Sequence, residues 1–240
     1  MLGNPDLARF AEALDREGIA LDHVTLLIGE WDSPGLDVER YRRRLDQIAA
    51  TVEKALDTQH ESSVDRARVI SEVLFTRMGF RGNAEDYYDP RNSFLSQVLE
   101  RGLGIPISLS VLFLEIARRV GVLAQGVNFP GHFLVRIAAE DSWRFLDPFA
   151  AGRLLSTADL EALLRQSAGP GATLEPSLLS AATKRQIVSR MLVNLAGIYG
   201  KHGDLPRSLA VLERLSVLDP ANPRLLRELT QLRDRVDTLN

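Results

Sequence analysis

The segment from Ile105 to Gly121 limits the possible folds most, because it predicts a helix with almost no polar face. Its sequence is IPISLSVLFLEIARRVG, and nearly every side chain from Ile107 to Ala117 is apolar or small. Pro106 suits the first turn of a helix, where its missing N–H costs no hydrogen bond. We therefore expect this helix to be buried nearly all round, with the rest of the chain packed about it.

A β-hairpin is predicted from Gly131 to Pro148, GHFLVRIAAEDSWRFLDP. Apolar and other side chains alternate from His132 to Ala138, a period of two that is typical of a half-buried strand. A second β-prone run, Trp143 to Asp147, follows polar turn residues. A two-residue loop at Ala139 and Glu140 would place three pairs directly opposite each other: His132 and Asp147, Leu134 and Phe145, and Arg136 and Trp143.

The predicted contact between His132 and Asp147 has two interpretations. A carboxylate that accepts a hydrogen bond from an imidazole N–H fixes the tautomer and raises the basicity of the ring, as a general base requires. The same pair can also be a satisfied polar contact that closes the open end of a hairpin. The spacing of the two residues is compatible with both interpretations.

Composition excludes several classes of function. The chain has 240 residues, 45% hydrophobic and 25% charged, which suggests one large soluble domain or one domain with a small appendage. A net charge of −3 gives no electrostatic reason to expect nucleic acid or an anionic membrane as a partner. The absence of cysteine excludes disulfides, thiolate metal sites and a cysteine nucleophile. No cofactor is indicated.

The histidine pattern and the N-terminus lead to further expectations. His23, His60 and His202 are scattered without the spacing of a metal site, so we expect no metal. The N-terminal segment has acidic residues and no apolar core, unlike a signal peptide. No apolar run approaches the roughly 20 residues of a membrane span. A cytoplasmic location without membrane contact is the expectation.

The chain is expected to be an α+β protein with four successive parts. Residues 1–90 are predicted to be helical, with the loop GNAEDYYDPRNS from 82 to 93 before the next helix. Residues 91–166 would form a core with a small antiparallel sheet, and 167–180 has the composition of a linker. Residues 181–240 are predicted to be three helices, interrupted at 202–204 and 219–223.

The C-terminal helices resemble a tetratricopeptide repeat, a helix–turn–helix unit of about 34 residues. In NLAGIYGKHGDLPRSLAVLERLSVLDP, the apolar, small and proline positions follow that pattern. One unit and half of another are present. Because about three repeats are normally needed for independent stability, this part is expected to pack on the preceding body.

The central region resembles the transglutaminase-like fold, which is related to papain. That family's motif is G-x-C at a helix start, followed by a strand, a histidine on one strand and an aspartate on the next. RRVGV, HFLVRI and WRFLDP match the helix end and the two strands. The resemblance implies that His132 and Asp147 correspond to the catalytic histidine and aspartate. Pro106 would then occupy the position of the nucleophile, where it cannot attack.

Most of the chain resembles the SirB-type family of bacterial proteins, described as regulators of sirC expression. NSFLSQVLERGLGIPISLSVLFLEIARRVGV and VNFPGHFLVRI carry this resemblance, which extends from about Leu26 to the C-terminus. It implies a transglutaminase-like core followed by C-terminal tetratricopeptide repeats. It implies little about biochemical activity.

The leading hypothesis is a pseudoenzyme, a non-catalytic interaction or regulatory protein that binds a protein or peptide. Arg190, Asn194 and Lys201 would offer charge-assisted contacts to carboxylates of the partner, although the same residues can be a solvated helix face. Asn92 and Asn128 could hydrogen-bond a ligand carbonyl. The alternatives are helix capping for Asn92 and a strand-end turn for Asn128.

The alternative hypothesis is a hydrolase or acyl-transferase that uses serine or water with His132 and Asp147. Ser108 and Ser110 lie within about one turn of Pro106. Ser108 is two positions from the nucleophile's place, or about 200° around a helix, and would therefore face the core. A serine nucleophile needs its hydroxyl within hydrogen-bond reach of the histidine.

Overall fold

The computed structural model describes residues 5–15, 18–56 and 62–238, and His60 lies outside them. The N-terminal part is helical, as predicted. It contains α1 (Pro5–Asp15), α2 (Leu21–Leu27), α3 (Val38–Ala55) and α4 (Ser63–Ser71), which continues as a π-helical turn over Glu72–Arg77. Among the described residues, none of the helices has both the length and the hydrophobicity needed to cross a lipid bilayer.

A short parallel pair precedes the central helix. Its strands are β1 (Arg81–Gly82) and β2 (Leu103–Gly104), and between them lie a 3₁₀ turn at Pro90–Asn92 and α5 (Leu95–Arg101). The next helix, α6 (Pro106–Arg119), is buried at every position from 106 to 117. The prediction of a helix enclosed on all sides is confirmed. Its apolar side chains and those of helices α1, α2, α3, α4 and α5 form one hydrophobic core.

The sheet has four antiparallel strands, in the order β3 (Ala124–Val127), β4 (Leu134–Ala139), β5 (Ser142–Asp147) and β6 (Arg153–Leu155). The hairpin is confirmed, but its predicted register is wrong. Ala139 extends β4 and pairs with Ser142, so the turn is Glu140–Asp141. Arg136 consequently lies opposite Phe145, where the prediction had placed Trp143.

The C-terminal part begins with α7 (Thr157–Ala168) and continues to three helices. These are α8 (Lys184–His202), α9 (Leu205–Leu218) and α10 (Pro223–Asp237), with breaks where the sequence predicted them. Residues of the predicted linker pack on the sheet: Leu174 and Leu178 contact a second apolar cluster. Buried residues of α8 belong to the same hydrophobic core as α6. The fold is therefore a mixed helical structure with a small sheet.

A buried carboxylate connects α2, α3 and α6. Asp22 is 1% exposed, and its Oδ2 accepts hydrogen bonds from Arg119 Nη2 at 2.7 Å and from Arg42 Nε at 3.3 Å. Burial by itself would raise the pKa of Asp22. The hydrogen bond and charge of Arg119, the backbone N–H of His23 and the charge of Arg42 outweigh burial, so the pKa lies below its usual value.

Candidate functional site

The histidine and the aspartate are brought together at one end of the hairpin. His132 precedes β4 in a turn where its backbone N–H donates to the carbonyl oxygen of Phe129. Asp147 is the last residue of β5. Its Oδ1 accepts the N–H of Phe149 and caps a 3₁₀ turn at Pro148–Ala150, and its carbonyl oxygen accepts the N–H of Gly152. Backbone hydrogen bonds therefore fix both residues.

Nε2 of His132 lies 2.9 Å from Oδ2 of Asp147. In the observed register Asp147 falls opposite Leu134, so the pair is diagonal, within reach of long side chains. The distance suits an ion pair, but a hydrogen on Nε2 does not point at the carboxylate, and Nε2 has no well-aligned hydrogen bond. The contact is therefore electrostatic. The side chains are only 15% and 7% exposed, so little of either reaches solvent.

Pro106, which the resemblance aligns with the nucleophile, is buried at the first position of α6. Its carbonyl oxygen accepts the hydroxyl of Ser110 at 2.7 Å, and the same hydroxyl lies 3.5 Å from the carbonyl oxygen of Phe133. The start of α6 therefore adjoins Phe133, which lies between the histidine and β4. No hydroxyl, thiol or amine stands at residue 106.

Ser108 is fully buried and is occupied by structural hydrogen bonds. Its hydroxyl donates to the carbonyl oxygen of Asn92 at 2.6 Å and accepts the N–H of Ile105 at 3.0 Å. These bonds fasten the start of α6 to the loop before α5. Every hydrogen bond found for this hydroxyl goes to the backbone, and none goes to His132.

Asn92 organises the loop that precedes α5 and does not cap a helix. The N-cap position of α5 is Phe94, so the capping interpretation is wrong. The buried amide of Asn92 donates to the carbonyl oxygen of Asp86 at 2.7 Å and accepts from Asn83 at 3.1 Å. Asp89, also buried, is held by Arg101 at 3.0 Å. These contacts hold the intervening Tyr87 and Tyr88 in place.

A row of aromatic rings extends from the histidine to the C-terminal helices. The ring of Phe149 lies edge-on to His132 at 6.2 Å and to Tyr87 at 6.1 Å, and Tyr87 lies 5.3 Å from Tyr88. The ammonium of Lys201 on α8 lies 4.2 Å from the centre of the Tyr88 ring, in cation–π geometry. The hairpin end is thus connected to α8 through contacting side chains.

Beside this row lies a cleft of about 170 Å³ between the tyrosine loop, the start of α6 and α8. Its lining consists of Tyr87, Tyr88, Ile105, Val193, Asn194, Gly197, Ile198 and Lys201. Five large hydrophobic side chains are exposed among the described residues, and three of them, Tyr87, Tyr88 and Val193, line this cleft. Clustering of this kind marks an interaction surface more often than single exposed residues do.

Two other candidates, Arg190 and Asn128, contact each other one helical turn before Asn194 on α8. Arg190 Nη1 donates to Oδ1 of Asn128 at 3.2 Å, across 62 residues of sequence. Burial raises the pKa of the Tyr87 phenol, and the nearby positive charge of Arg190 partly opposes that rise. Asn194 and Lys201 line the cleft itself. Of the five polar residues predicted for binding, Asn194 and Lys201 line the cleft, Arg190 and Asn128 pair one helical turn away, and Asn92 is buried in the loop before α5.

Three residues of this region were not recognised from the sequence: Tyr87, Tyr88 and Phe149. The consecutive tyrosines in a polar loop were a usable signal, since aromatic side chains are uncommon in such segments.

A larger groove of about 1340 Å³ lies between the start of α4 and the turn of the hairpin, and it contains none of the candidate residues. Within 5–15, 18–56 and 62–238, no three acidic or histidine side chains are grouped as metal ligands.

Residues 39–193 match the transglutaminase-like superfamily. A UPF0162 protein of Xylella fastidiosa is 36% identical over 218 residues, which cover 90% of this chain and 77% of that protein. A UPF0162 protein of Pseudomonas aeruginosa is 33% identical over 212 residues, covering 87% and 76%. Human F-box only protein 21 is 35% identical over 148 residues, covering 58% of this chain and 22% of its own length. No solved structure matches.

Proposed function

The chain belongs to the transglutaminase-like superfamily and to the UPF0162 family, and we propose that it is a non-catalytic interaction or regulatory protein. In this proposal the cleft between the tyrosine loop and α8 holds a polypeptide segment of a partner protein. The observation that carries the proposal is the grouping of exposed aromatic and apolar side chains with Asn194 and Lys201 in that cleft.

The chemistry at residue 106 supports a non-catalytic role. Acyl transfer by a covalent route needs a nucleophile within reach of the general base. Proline stands at that position, and Ser108 is bonded to the backbone. His132 and Asp147 then serve to close the hairpin end and to support Phe149. The serine-dependent alternative finds no support in the hydrogen bonds of Ser108.

The size of the cleft supports a polypeptide ligand. Sites for small molecules usually enclose about 300–1,000 Å³. A cleft of about 170 Å³ is below that range and suits one or two side chains of a longer segment. Tyrosine rings next to an aliphatic side chain are also the composition that protein interfaces favour.

The finer assignments from the sequence belong to the same proposal. The chain would be a SirB-type protein in which residues 91–166 form the core and 181–240 form a tetratricopeptide-like module, joined through 167–180. Helix–turn–helix repeats commonly bind peptides on an exposed face, which is the use proposed for α8. In F-box only protein 21 the matched region is 22% of a longer protein, which suits a module to which other segments are attached.

Filling the cleft is expected to abolish partner binding without unfolding the protein. An added Cβ at Gly197 has no neighbour within 4 Å, so Gly197→Trp would extend into the cleft. A protein captured by chemical cross-linking from the source bacterium would be purified, and its affinity measured by calorimetry. We expect Gly197→Trp to weaken this binding at least about tenfold, as the loss of a central interface pocket does.

Gly200→Trp is the matched control. Gly200 lies on the same helix, is exposed, has no neighbour within 4 Å of an added Cβ and does not line the cleft. Circular dichroism would verify that both variants are folded. Equal binding by the two variants would contradict the proposed site. An amide or ester hydrolysis by the wild type that His132→Ala abolishes would contradict the non-catalytic role.

A further inference from the structure

We infer that the cleft recognises an acidic segment, in which two side-chain carboxylates four to six residues apart lie on either side of an apolar residue. This inference rests on the proposed function and specifies the chemistry of the partner. It follows from the charges that border the cleft, their separation along α8 and the apolar surface between them.

The cations at the cleft have no acidic partner among the described residues. Within the described part of the chain, the ammonium of Lys201 lies over the ring of Tyr88 and pairs with no carboxylate, and Arg190 donates to Asn128 and pairs with no carboxylate. Several arginines elsewhere are paired with carboxylates, such as Arg119 with Asp22, Arg207 with Asp32 and Arg233 with Glu213, whereas the two cations here combine the lack of such a partner with a position at an apolar cleft. No acidic side chain is in the lining of the cleft. In a chain of net charge −3, this is a local positive site that is complementary to an anion.

Helix geometry sets the spacing of the anions. Arg190, Asn194, Gly197 and Lys201 follow one stripe of α8, and the two cations are eleven residues apart. At 3.6 residues per turn and 1.5 Å per residue, they face the same side about 16 Å apart. Lys201 is placed over Tyr88 and Arg190 on Asn128, so we expect two carboxylates, one for each cation. An extended segment rises about 3.3 Å per residue, so four to six residues separate two carboxylates that pair with them.

The surface between the cations is suited to an apolar side chain. Val193 is 51% exposed and Tyr88 is 54% exposed, and Gly197 leaves the helix backbone open beside them. The amide of Asn194 can hydrogen-bond the backbone of an extended segment that crosses the helix. The site therefore combines two charge contacts at its ends with one hydrophobic contact at its centre.

The test is a selection of random twelve-residue peptides, displayed with blocked C-termini, on the wild-type protein. Peptides that also bind Gly197→Trp are discarded. We expect the remaining peptides to contain two Asp or Glu residues four to six positions apart with an apolar residue between them. Cleft-dependent peptides without that pair would overturn this inference and leave the proposed function intact. Recovery of no cleft-dependent peptide would overturn both.

A charge exchange tests the pairing directly. Fluorescence polarisation with one selected peptide would measure the affinity of Arg190→Glu/Lys201→Glu at physiological salt, and we expect it to be at least about tenfold weaker than that of the wild type. A peptide with lysine in place of its two acids should then bind this variant better than it binds the wild type. A structural effect of the substitutions would not produce that reversal.

Arg227→Glu/Arg224→Glu on α10 is the control for net charge, because both residues are exposed and have no acidic partner among the described residues. It should change peptide affinity by less than about twofold at physiological salt, where surface charges are largely screened. An equal loss in the two double variants, or equal binding of a peptide with amides in place of its acids, would overturn the inference.

Discussion

Asp22→Ala is expected to lower the free energy of unfolding by about 3 kcal/mol or more, measured by urea denaturation. The carboxylate is 1% exposed and accepts hydrogen bonds from Arg119 and Arg42. Hydrogen bonds to charged groups contribute about 1.5–3 kcal/mol each, and their loss leaves donors of Arg119 without an acceptor in a buried place. The contact between α2 and α6 would be weakened most.

Asp46→Ala is the matched control, since Asp46 also pairs with Arg119, at 2.7 Å, but is 66% exposed. Its loss should cost less than about 1 kcal/mol, as is usual for surface ion pairs. If the two variants were equally unstable, burial would not be the cause of the Asp22 effect.

The same carboxylate is expected to make stability depend on pH in the acid range. The charge and hydrogen bond of Arg119 outweigh burial, so the pKa of Asp22 is lower in the folded protein than in the unfolded chain. The folded state therefore binds this proton less readily than the unfolded chain does. The stabilisation is present above the unfolded pKa and is lost as pH falls through the folded pKa. Urea denaturation at a series of pH values should therefore show that Asp22→Ala loses less free energy of unfolding than the wild type as the pH falls below about 5.

Gly152→Ala is expected to lower the free energy of unfolding by about 2–5 kcal/mol, which is the other large effect expected. Gly152 has a φ of +71°, which costs an L-residue about 1–2 kcal/mol. An added Cβ would lie 2.2 Å from Oγ and 2.6 Å from Cβ of Ser71, and relief of such overlap costs about 1–3 kcal/mol more. The N–H of Gly152 donates to the carbonyl of Asp147, so the aspartate would also be displaced.

Two variants separate strain from overlap in thermal and urea denaturation. Gly79 has a φ of +76° and open space around an added Cβ, so Gly79→Ala should show the strain alone, about 1–2 kcal/mol. In a Ser71→Gly background the cost of Gly152→Ala should fall towards the Gly79 value. An undiminished cost in that background would assign the effect to the backbone and not to Ser71.

The local elements could be predicted because their causes are local. The buried helix α6 follows from a run of apolar residues, and the hairpin follows from alternation next to a polar turn. The turn was placed one residue early because Ala139 is compatible with either a strand or a turn. The predicted pairing is therefore shifted by two residues. Because side chains alternate between faces, a shift of two leaves His132 and Asp147 on the same face, where they are in contact diagonally and not directly opposite each other.

The cleft could not be predicted because it depends on contacts between distant segments. Tyr88 meets Lys201 and Asn128 meets Arg190 only after the core has placed the loop before α5 against α8. The pattern on α8 identified a polar stripe but not what it faces. The role of Asn92 was missed for a similar reason, since its partners Asp86, Asn83 and Ser108 lie in a loop and in another helix.

The buried side of α8 has a practical consequence for experiments on partner binding at the cleft. Ile187, Met191 and Leu195 belong to the same hydrophobic core as α6, so a truncation before α8 would bare an apolar surface and report misfolding instead of lost recognition. Conversely, a partner that binds the outer side of α8 must raise the melting temperature of the entire chain, because only the native state binds it. Heating curves can therefore screen candidate partners without a label.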